Sequence, residues 1–377
     1  MDRWPQLSLD GAAILEDGKV HIGPAEDDTR LTRCSHVAFR EPSQAGNNCR
    51  CYAMSTDGRL LAVAFKRSHT IWVWRLSDGL LIQRLRDEGH TDIINSLAFS
   101  PTGHTIVSGS NDRSAIIWDV RTGHAARRLG DHAVKVWRVA FSPDGLLIAT
   151  GCDNGAVKIW SSGSAEILRS LDLGSKVWGI HFSSDSVRLV VELKSTATIY
   201  SIQNGTLITA LQHEGGEDMR VSLSCRGDRV LTSTNDGKAK IYNAITGEEI
   251  IELSQREDEI NSVAFSPDGA EVAIASDDRA VVTCDSWTGQ HRRIYKMSSK
   301  AWSVAYSPNG DYIAMGDSMG HVRVCDAKSG VFLTEFKAHA KDTDHLQFLP
   351  DCHSLLSCSQ DDDSVLLWSI RDVIRLR

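Results

Sequence analysis

Residues 316–320 are the first motif in this sequence that could do chemistry. Gly316-Asp317-Ser318-Met319-Gly320 fits the G-x-S-x-G pattern of a hydrolase nucleophile elbow, in which a serine sits at a sharp turn between a strand and a helix. The flanking residues YIAMG and HVRVCD both alternate as strands do, so the required helix is missing. The sequence therefore predicts no catalytic serine.

Two further motifs could hold a metal. Cys49 and Cys51 are closely spaced thiols, but no second Cys or His pair at zinc-ligand spacing accompanies them. Asp361, Asp362 and Asp363 would suit Ca²⁺, yet no loop of alternating oxygen ligands follows. The sequence also contains no phosphate loop, HExxH motif or dinucleotide fingerprint. We therefore predict no catalytic residues, no metal and no cofactor.

The composition limits the class of protein. The chain has 377 residues, 41% hydrophobic and 24% charged, which is typical of a globular protein with a sizeable core. A formal net charge of -8 makes nucleic acid an unexpected partner. No apolar stretch is long enough for membrane insertion, and the N-terminal residues do not form a signal peptide. Nine cysteines without paired spacing favour reduced thiols and an intracellular location, cytoplasmic or nuclear.

An internal repeat must position whatever site the protein has. Eight segments such as LAFSPTG and VAFSPDG begin a similar pattern of two apolar runs separated by a turn. Each repeat ends at an aromatic residue or a cysteine, namely Trp74, Trp118, Trp160, Tyr200, Tyr242, Cys284, Cys325 and Trp368. Neighbouring end points are 40 to 44 residues apart. This regular period predicts one repeat-built domain rather than two unrelated ones.

Each repeat predicts four short antiparallel strands, because polarity alternates every two residues and Pro, Asp, Asn and Gly mark the turns. A single four-stranded sheet cannot cover both of its faces, so the copies must stack on one another. The fold class is therefore all-β, a single closed β-propeller with eight blades favoured and seven blades as the alternative. Residues 48–377 form this propeller, and residues 1–47 form an N-terminal segment.

The two chain ends leave the last blade open to two interpretations. Residues 373–377 could be a shortened outer strand, or residues 12–23 could cross over and complete the blade. Residues 34–51 are interpreted as a polar connecting loop.

Residues 89–119 run in the order Gly-His, LAFSPTG and SGSNDRSAIIWD. This order resembles the WD-repeat (beta-transducin-like) family, and the resemblance covers roughly residues 48–377. It implies four-stranded blades, each braced by a buried hydrogen-bonded tetrad. Repeat 2 matches the structural tetrad in full, with His90, Ser108, Asp112 and Trp118. A buried carboxylate needs several hydrogen bonds, so Asp112 is predicted to be structural.

The tetrad is less complete in the other repeats. Repeat 3 has His132, Thr150 and Trp160 with Asn154 in place of the aspartate; repeat 8 has His339, Asp362 and Trp368 with Cys358 in place of the hydroxyl; repeat 5 keeps Thr232 and Asp236 but ends in Tyr242. Repeats 1, 4 and 7 carry Ser68, Lys194 and Met319 at the aspartate position. We expect these three blades to be held mainly by apolar packing.

A second repeated pattern indicates where a partner could bind. KVW, KVW and KAW occupy one register of repeats 3, 4 and 7. The family resemblance implies that this register, and the residue before the tetrad aspartate, lie on the face where peptides dock. The predicted partner-binding face contains Lys135, Trp137, Lys176, Trp178, Lys300, Trp302, Asp153, Asp277 and Asp361. Alternatively, the tryptophans wedge between blades beside Val139, Ile180 and Val304, and period-two alternation cannot separate the two interpretations.

The segment 106–121 also resembles the box by which some WD-repeat proteins dock on the damaged-DNA-binding adaptor of cullin-RING ubiquitin ligases. In that interpretation Asp119 and Arg121 form the docking site, and the planar guanidinium of Arg121 would be the exposed, ion-pairing member. Arg121 could instead pair with a local carboxylate.

The sequence as a whole favours a non-catalytic intracellular scaffold or adaptor that binds other proteins or peptides in a multiprotein complex. One alternative is a substrate receptor of a cullin-RING ligase through residues 106–121. Another is a ligand-binding propeller whose tryptophans stack on a sugar or a methylated cation.

Overall fold

The structure is a computed structural model that describes residues 36–42, 46–130, 132–213, 218–253, 256 and 258–371. Within those residues it contains 32 strands, arranged as eight four-stranded antiparallel sheets. These sheets are the blades of a β-propeller, so the all-β class and the favoured number of eight blades are confirmed. No helix in the described part of the chain is long and apolar enough to cross a membrane.

The described strands fall into two compact units, which we treat separately. The first unit comprises residues 37–180 and 362–365. Blade 1 contains β2 (Cys49–Met54), β3 (Leu60–Phe65), β4 (Ile71–Arg75) and β5 (Leu80–Leu85). Blade 2 contains β6 (Ile94–Phe99), β7 (Thr105–Ser110), β8 (Ala115–Asp119) and β9 (Ala125–Leu129). Blade 3 contains β10 (Val136–Phe141), β11 (Leu147–Cys152), β12 (Ala156–Ser161) and β13 (Ile167–Asp172).

The second unit comprises His36, residues 181–361 and residues 366–371 of the described chain. Blade 4 contains β14 (Gly179–Phe182), β15 (Arg188–Glu192), β16 (Thr196–Ser201) and β17 (Leu207–Gln212). Blade 5 contains β18 (Arg220–Leu223), β19 (Arg229–Ser233), β20 (Ala239–Asn243) and β21 (Glu249–Glu252). Blade 6 contains β22 (Ile260–Phe265), β23 (Glu271–Ser276), β24 (Ala280–Asp285) and β25 (His291–Lys296), and blade 7 contains β26 (Ala301–Tyr306), β27 (Tyr312–Asp317), β28 (His321–Asp326) and β29 (Phe332–Lys337).

Blade 8 combines strands from both ends of the described chain. It contains β1 (His36–Arg40), β30 (His345–Phe348), β31 (Ser354–Cys358) and β32 (Ser364–Ser369) in the order β1-β32-β31-β30. The interpretation of residues 34–51 as a loop is therefore wrong, because the alternating segment HVAFR forms the fourth strand and residues 49–54 form β2. Both sequence candidates for this strand, 12–23 and 373–377, lie outside the described residues.

Consecutive sheets pack face to face within each unit, because the inner strands are apolar on both faces, as in β3, where all six residues are buried. In the first unit, Ile71 and Ile94 belong to one buried cluster that joins blades 1 and 2, and Val136 belongs to another that joins blades 2 and 3. In the second unit, similar clusters join blades 4 and 5, 5 and 6, and 6 and 7. Each fully buried aliphatic side chain stabilises the fold by about 1.5–3 kcal/mol.

A β-bulge interrupts the first strand of five blades at the same register. The ladder shifts at one residue in each of β2, β6, β10, β22 and β26. The extra residues are Arg50, Asn95, Trp137, Asn261 and Trp302. In blades 4, 5 and 8 the equivalent residue directly precedes the first strand and is Trp178, Met219 or Asp344. A β-bulge changes the direction in which its extra side chain points. For this reason the period-two alternation of the sequence could not assign these residues to one face of the sheet.

Candidate partner-binding site

The tetrad residues of blade 2 lie within hydrogen-bonding distance of one another. His90 Nε2 lies 2.7 Å from Ser108 Oγ and its Nδ1 lies 2.8 Å from Asp112 Oδ2. The indole N–H of Trp118 donates to Ser108 Oγ at 2.8 Å. These contacts connect the segment before β6, which carries His90, to β7, β8 and the turn between them. They therefore stabilise the sheet and do not create a reactive group.

Asp112 illustrates how the blade stabilises a buried charge. Burial tends to raise the pKa of Asp112, but His90 and then Ser114 and Thr91 hydrogen-bond to the carboxylate and hold its pKa well below the usual value. Because the folded-state pKa is depressed, the carboxylate stabilises the fold above the usual aspartate pKa, and this contribution is lost as pH falls. The group is a structural acceptor and not a general acid or base at neutral pH.

The partial tetrads differ in detail from the sequence expectations. In blade 3, Thr150 Oγ1 lies 2.9 Å from His132 Nε2 and accepts from the Trp160 indole at 3.0 Å. In blade 8 the hydroxyl comes from Ser357, which lies 2.8 Å from His339 Nε2, and not from Cys358 as predicted. Strand alternation explains this correction, since neighbouring residues of β31 project from opposite faces of the sheet.

Two buried polar residues were missed by the sequence analysis. In blade 5, His213 Nε2 lies 2.7 Å from Thr232 Oγ1, and burial lowers the pKa of His213. In blade 7, Asp317 is fully buried and accepts from the backbone amides of Met319 and His321 at 2.9 and 2.8 Å. Blade 7 therefore has a polar brace as well as apolar packing, two residues before the position where an aspartate was sought.

The motifs examined for catalysis and metal binding lie in structural positions. Ser318 is in the turn between β27 and β28, so a strand both enters and leaves the turn. Cys49 is buried and Cys51 half-buried. No group of three or more His, Cys, Asp or Glu residues in the described part of the chain is arranged to hold a metal ion.

In the first unit, Trp137 and Trp178 form a corner, which we call the first tryptophan corner. Their ring centroids are 6.1 Å apart and the planes meet at 81°. Lys176 Nζ lies 3.3 Å from the centroid of Trp137 and 4.2 Å from that of Trp178, and 3.3 Å from Asp153 Oδ1. Trp178 is 36% exposed, so the corner presents an aromatic and cationic surface.

Two arginines complete this corner. Arg50 Cζ lies 5.1 Å from the Trp137 ring centroid, and Arg138 Cζ lies 5.9 Å from it. One N–H of Arg50 donates to Asn95 at 3.0 Å, and Arg138 Nε donates to the backbone carbonyl of Trp178 at 2.6 Å. However, the buried Nε1 of Trp137 and the buried Nε of Arg50 find no hydrogen-bond acceptor among the described residues.

In the second unit, Trp302 occupies the same bulge register but has an acidic neighbour. Its indole N–H donates to Asp344 Oδ1 at 3.0 Å, and Asp344 Oδ2 accepts from the backbone amide of Gln360 at 2.6 Å. Burial and then the charges of Asp344 and Asp361 raise the pKa of Asp342. We call this group the second tryptophan corner.

The remaining predicted face residues also divide between the two units. In the second unit, Lys300 forms an ion pair with the largely buried Asp277, and Lys341 pairs with the exposed Asp361 at 3.1 Å. In the first unit, Lys135 is exposed. Val139, Ile180 and Val304 are buried, whereas Trp137, Trp178 and Trp302 are only partly buried. The tryptophans therefore do not share the burial of the aliphatic residues two positions later.

Asp119 and Arg121 lie at the end of β8 and in the following turn. Asp119 Oδ1 accepts from the backbone amide of Thr122 at 2.7 Å. The side chain of Arg121 is exposed and forms no direct ion pair with any residue that the structure describes. Burial tends to raise the pKa of Asp119, but the hydrogen bonds from Thr122 and then the charge of Arg121 lower it, so Arg121 does interact with this local carboxylate.

Comparison with known families agrees with this repeat architecture. The family described as WD domain, G-beta repeat matches residues 81–119, 123–161 and 247–283. The chain contains WD repeats. A second family, the anaphase-promoting complex subunit 4 WD40 domain, matches residues 272–351 of the same WD-repeat chain.

Individual relatives align with parts of this WD-repeat chain. An uncharacterized WD repeat-containing protein of Synechocystis sp. is 36% identical over 32% of the chain and 34% of its own length. Eukaryotic translation initiation factor 3 subunit I of Kluyveromyces lactis is 22% identical over 55% of the chain and 65% of its own length. The transcriptional corepressor LEUNIG_HOMOLOG of Arabidopsis thaliana is 24% identical over 58% of the chain and 27% of its own length. The chain thus spans less than two thirds of the length of each of these relatives.

A computationally designed protein, Ika8, has a similar structure, with a TM-score of 0.73 and 22% identity over 87% of this chain and 98% of its own. At this identity the likeness concerns the fold alone.

Proposed function

We propose that this WD-repeat chain is a non-catalytic scaffold or adaptor that binds proteins or peptides within a multiprotein complex in the cytoplasm or nucleus. The observation that carries the proposal is the first tryptophan corner, where two partly exposed indoles and several cations meet at the bulge of β10 and the residues just before β14. Rigid aromatic residues cover much apolar area at little cost in rotamer entropy, and neighbouring charges orient a partner.

The relatives support a scaffold role in general terms. Two of them are named as a translation initiation factor subunit and a transcriptional corepressor, names that imply work alongside other proteins. The blades themselves carry polar side chains that brace the sheets, such as the tetrad of blade 2. Binding of partner proteins at an exposed surface is therefore the function that the residues described above support best.

The test is quantitative capture of partners from the native cell with matched variants. A double variant, Trp137→Ala with Trp178→Ala, removes the first tryptophan corner, and Trp302→Ala removes the second. Trp287→Ala is the control, because this indole is 58% exposed and lies in the turn after β24, away from the bulge register. We expect the double variant to lose partners that wild type and Trp287→Ala retain, with similar melting temperatures. Retention of the same partners by all variants would contradict the proposal.

Docking on a cullin-RING adaptor through Arg121 is a second candidate. It is favoured by the exposed guanidinium of Arg121, which has no ion-pair partner among the described residues and is suited to a partner's carboxylate. Arg121→Ala should abolish co-purification of the adaptor, while Arg127→Ala, an exposed arginine on β9, should leave it unchanged. Adaptor binding that survives Arg121→Ala rules this candidate out.

A methylated cation or sugar bound by the tryptophans is a third candidate. The ammonium of Lys176 already lies over both rings, which supports an affinity of this corner for cations. Lys176→Met would clear the rings, so a trimethyl-lysine peptide should quench tryptophan fluorescence more strongly in this variant than in wild type. Equal responses, or a response that persists in Trp178→Ala, would exclude the corner as a cation site.

A further inference from the structure

The two tryptophan corners differ in one hydrogen bond. In blades 7 and 8, the residue that directly precedes β30 is Asp344, and its carboxylate accepts from the Trp302 indole at 3.0 Å. In blades 3 and 4, the residue that directly precedes β14 is Trp178, which has no acceptor in its side chain. The Trp137 indole N–H therefore has no carboxylate acceptor, whereas the Trp302 N–H donates to Asp344.

A second donor is unsatisfied beside it. The Nε of Arg50 is buried without an acceptor among the described residues, as is Nε1 of Trp137, and the Arg50 guanidinium lies 5.1 Å from the centre of that ring. A buried donor without a partner costs about 1–3 kcal/mol. Two such donors at the same indole favour a ligand that brings more than one hydrogen-bond acceptor, as a carboxylate does.

The charged side chains around these two donors determine whether an anion or a cation binds there. Arg50, Arg138 and Lys176 all lie within 5.9 Å of the Trp137 ring, and Asp153 is the carboxylate that pairs with Lys176. Crowded cations of this kind favour an anionic oxygen, since charge-assisted hydrogen bonds are roughly twice as strong as neutral ones.

From these observations we infer that the first tryptophan corner binds a carboxylate side chain of an acidic peptide segment in a partner protein. The Trp137 N–H and the Arg50 Nε–H donate to that carboxylate, as the Trp302 N–H donates to Asp344 in the second corner. The inference rests on the proposed function and specifies the chemistry of the partner.

Access to these donors requires movement of Lys176, which covers the Trp137 ring. Its ion pair with Asp153 is partly exposed, and such pairs are worth only about 0–1 kcal/mol. An incoming carboxylate competes with Asp153 for the same ammonium, so Lys176 exchanges one anionic partner for another. The displacement therefore costs Lys176 its two ring contacts but little in ion pairing.

The test follows the tryptophan N–H groups directly by NMR on the full chain labelled with ¹⁵N at its indoles. The probe is a capped decapeptide of alternating serine and glutamate, and the matched probe has glutamine in place of glutamate. We expect the Trp137 indole signal, assigned with Trp137→Phe, to move downfield with the glutamate peptide and the Trp302 signal to stay in place. Affinity for the glutamine peptide should be at least about tenfold lower.

Two variants make the outcome specific. Trp178→Asp places a carboxylate at the register of Asp344, so the Trp137 signal should already lie downfield and the peptide should no longer move it. Trp178→Leu removes the ring without adding an acceptor, and the peptide should still move the signal.

Several outcomes would overturn the inference. These are an unmoved Trp137 signal at millimolar glutamate peptide, and a Trp178→Asp variant that still responds to the peptide. Tighter binding of inorganic phosphate or oligothymidylate than of the peptide would assign the corner to another anion. An equal response to the glutamine peptide would remove the acidic preference but leave the proposed function intact, whereas capture that survives loss of Trp137 and Trp178 defeats the proposed function itself.

Discussion

Two tryptophans of this chain stand at the same β-bulge but in opposite electrostatic surroundings. Trp137 meets Lys176 and Trp178, whereas Trp302 meets Asp344. The backbone places both indoles identically, and the residues before the next blade decide whether the N–H is paired. The same position in the blade therefore forms an internal hydrogen bond in the second unit, whereas in the first unit its indole N–H stays available for a ligand.

The comparison extends to the ionisable groups. In the first corner, Lys176 lies over the rings and pairs with Asp153 at 3.3 Å. At the equivalent position of the second corner is Asp342, whose pKa is raised by burial and by the charges of Asp344 and Asp361. The first corner therefore concentrates positive charge and the second concentrates negative charge.

Removing each indole N–H should produce the largest contrast. Trp302→Phe breaks the hydrogen bond to Asp344 and should lower the free energy of unfolding by about 1–3 kcal/mol. Trp137→Phe loses no hydrogen bond within the described chain and should cost much less, because it also removes an unsatisfied donor. Urea unfolding of the two variants measures both values. Equal losses would show that the two corners do not differ in this bond.

Changing the acceptor should have a smaller effect. Asp344→Asn keeps only one acceptor oxygen, so it cannot serve both Trp302 and the Gln360 amide, and the bond to the indole loses its charge assistance. We expect a loss of about 1 kcal/mol in urea unfolding. Asp361→Asn is the control, since Asp361 is exposed and its pair with Lys341 should contribute little. A control that costs as much as Asp344→Asn would argue against a special role for Asp344.

Neutralising one carboxylate in each corner should give the smallest changes in the free energy of unfolding, and the two changes should have opposite signs. The raised pKa of Asp342 means that its charged form is disfavoured in the folded state, so its penalty appears as pH rises through that pKa. Asp342→Asn should therefore be slightly more stable than wild type at pH 7, and this advantage should vanish as pH falls below the usual aspartate pKa.

Asp153→Asn in the first corner should instead be slightly less stable at pH 7, because Lys176 loses its partner. Both changes should be below about 1 kcal/mol, the range of partly exposed ion pairs. Thermal unfolding between pH 3 and pH 7 would measure them, and changes of the same sign in both variants would remove the electrostatic contrast between the corners.

Much of the fold was predictable from local patterns. The 40 to 44 residue spacing from Trp74 to Trp368 predicts eight copies, and period-two alternation predicts their strands. The segment HVAFR was misassigned to a loop because a single strand, far from its repeat, carries no periodic signal. Ser357 was passed over for Cys358 because a shift of one residue reverses the face to which a side chain points.

The candidate site was predictable only in part. The repeated KVW and KAW triplets marked Trp137, Trp178 and Trp302, but alternation could not assign a face to residues at or beside a bulge. His213 carries little local signal, because it follows Gln212 rather than the glycine of a Gly-His pair and its repeat ends in Tyr242. Asp317 was missed because it lies two residues from the expected position.

The sequence by itself determined the repeat period, the four strands of each blade and the apolar faces that stack, because these depend on local alternation repeated many times. Only the tertiary structure decided which residue of the next blade meets each bulged indole. Trp137 and Lys176 are 39 positions apart, and Trp302 and Asp344 are 42 apart. Whether such a pair forms depends on the packing of one sheet against another, which no local pattern encodes.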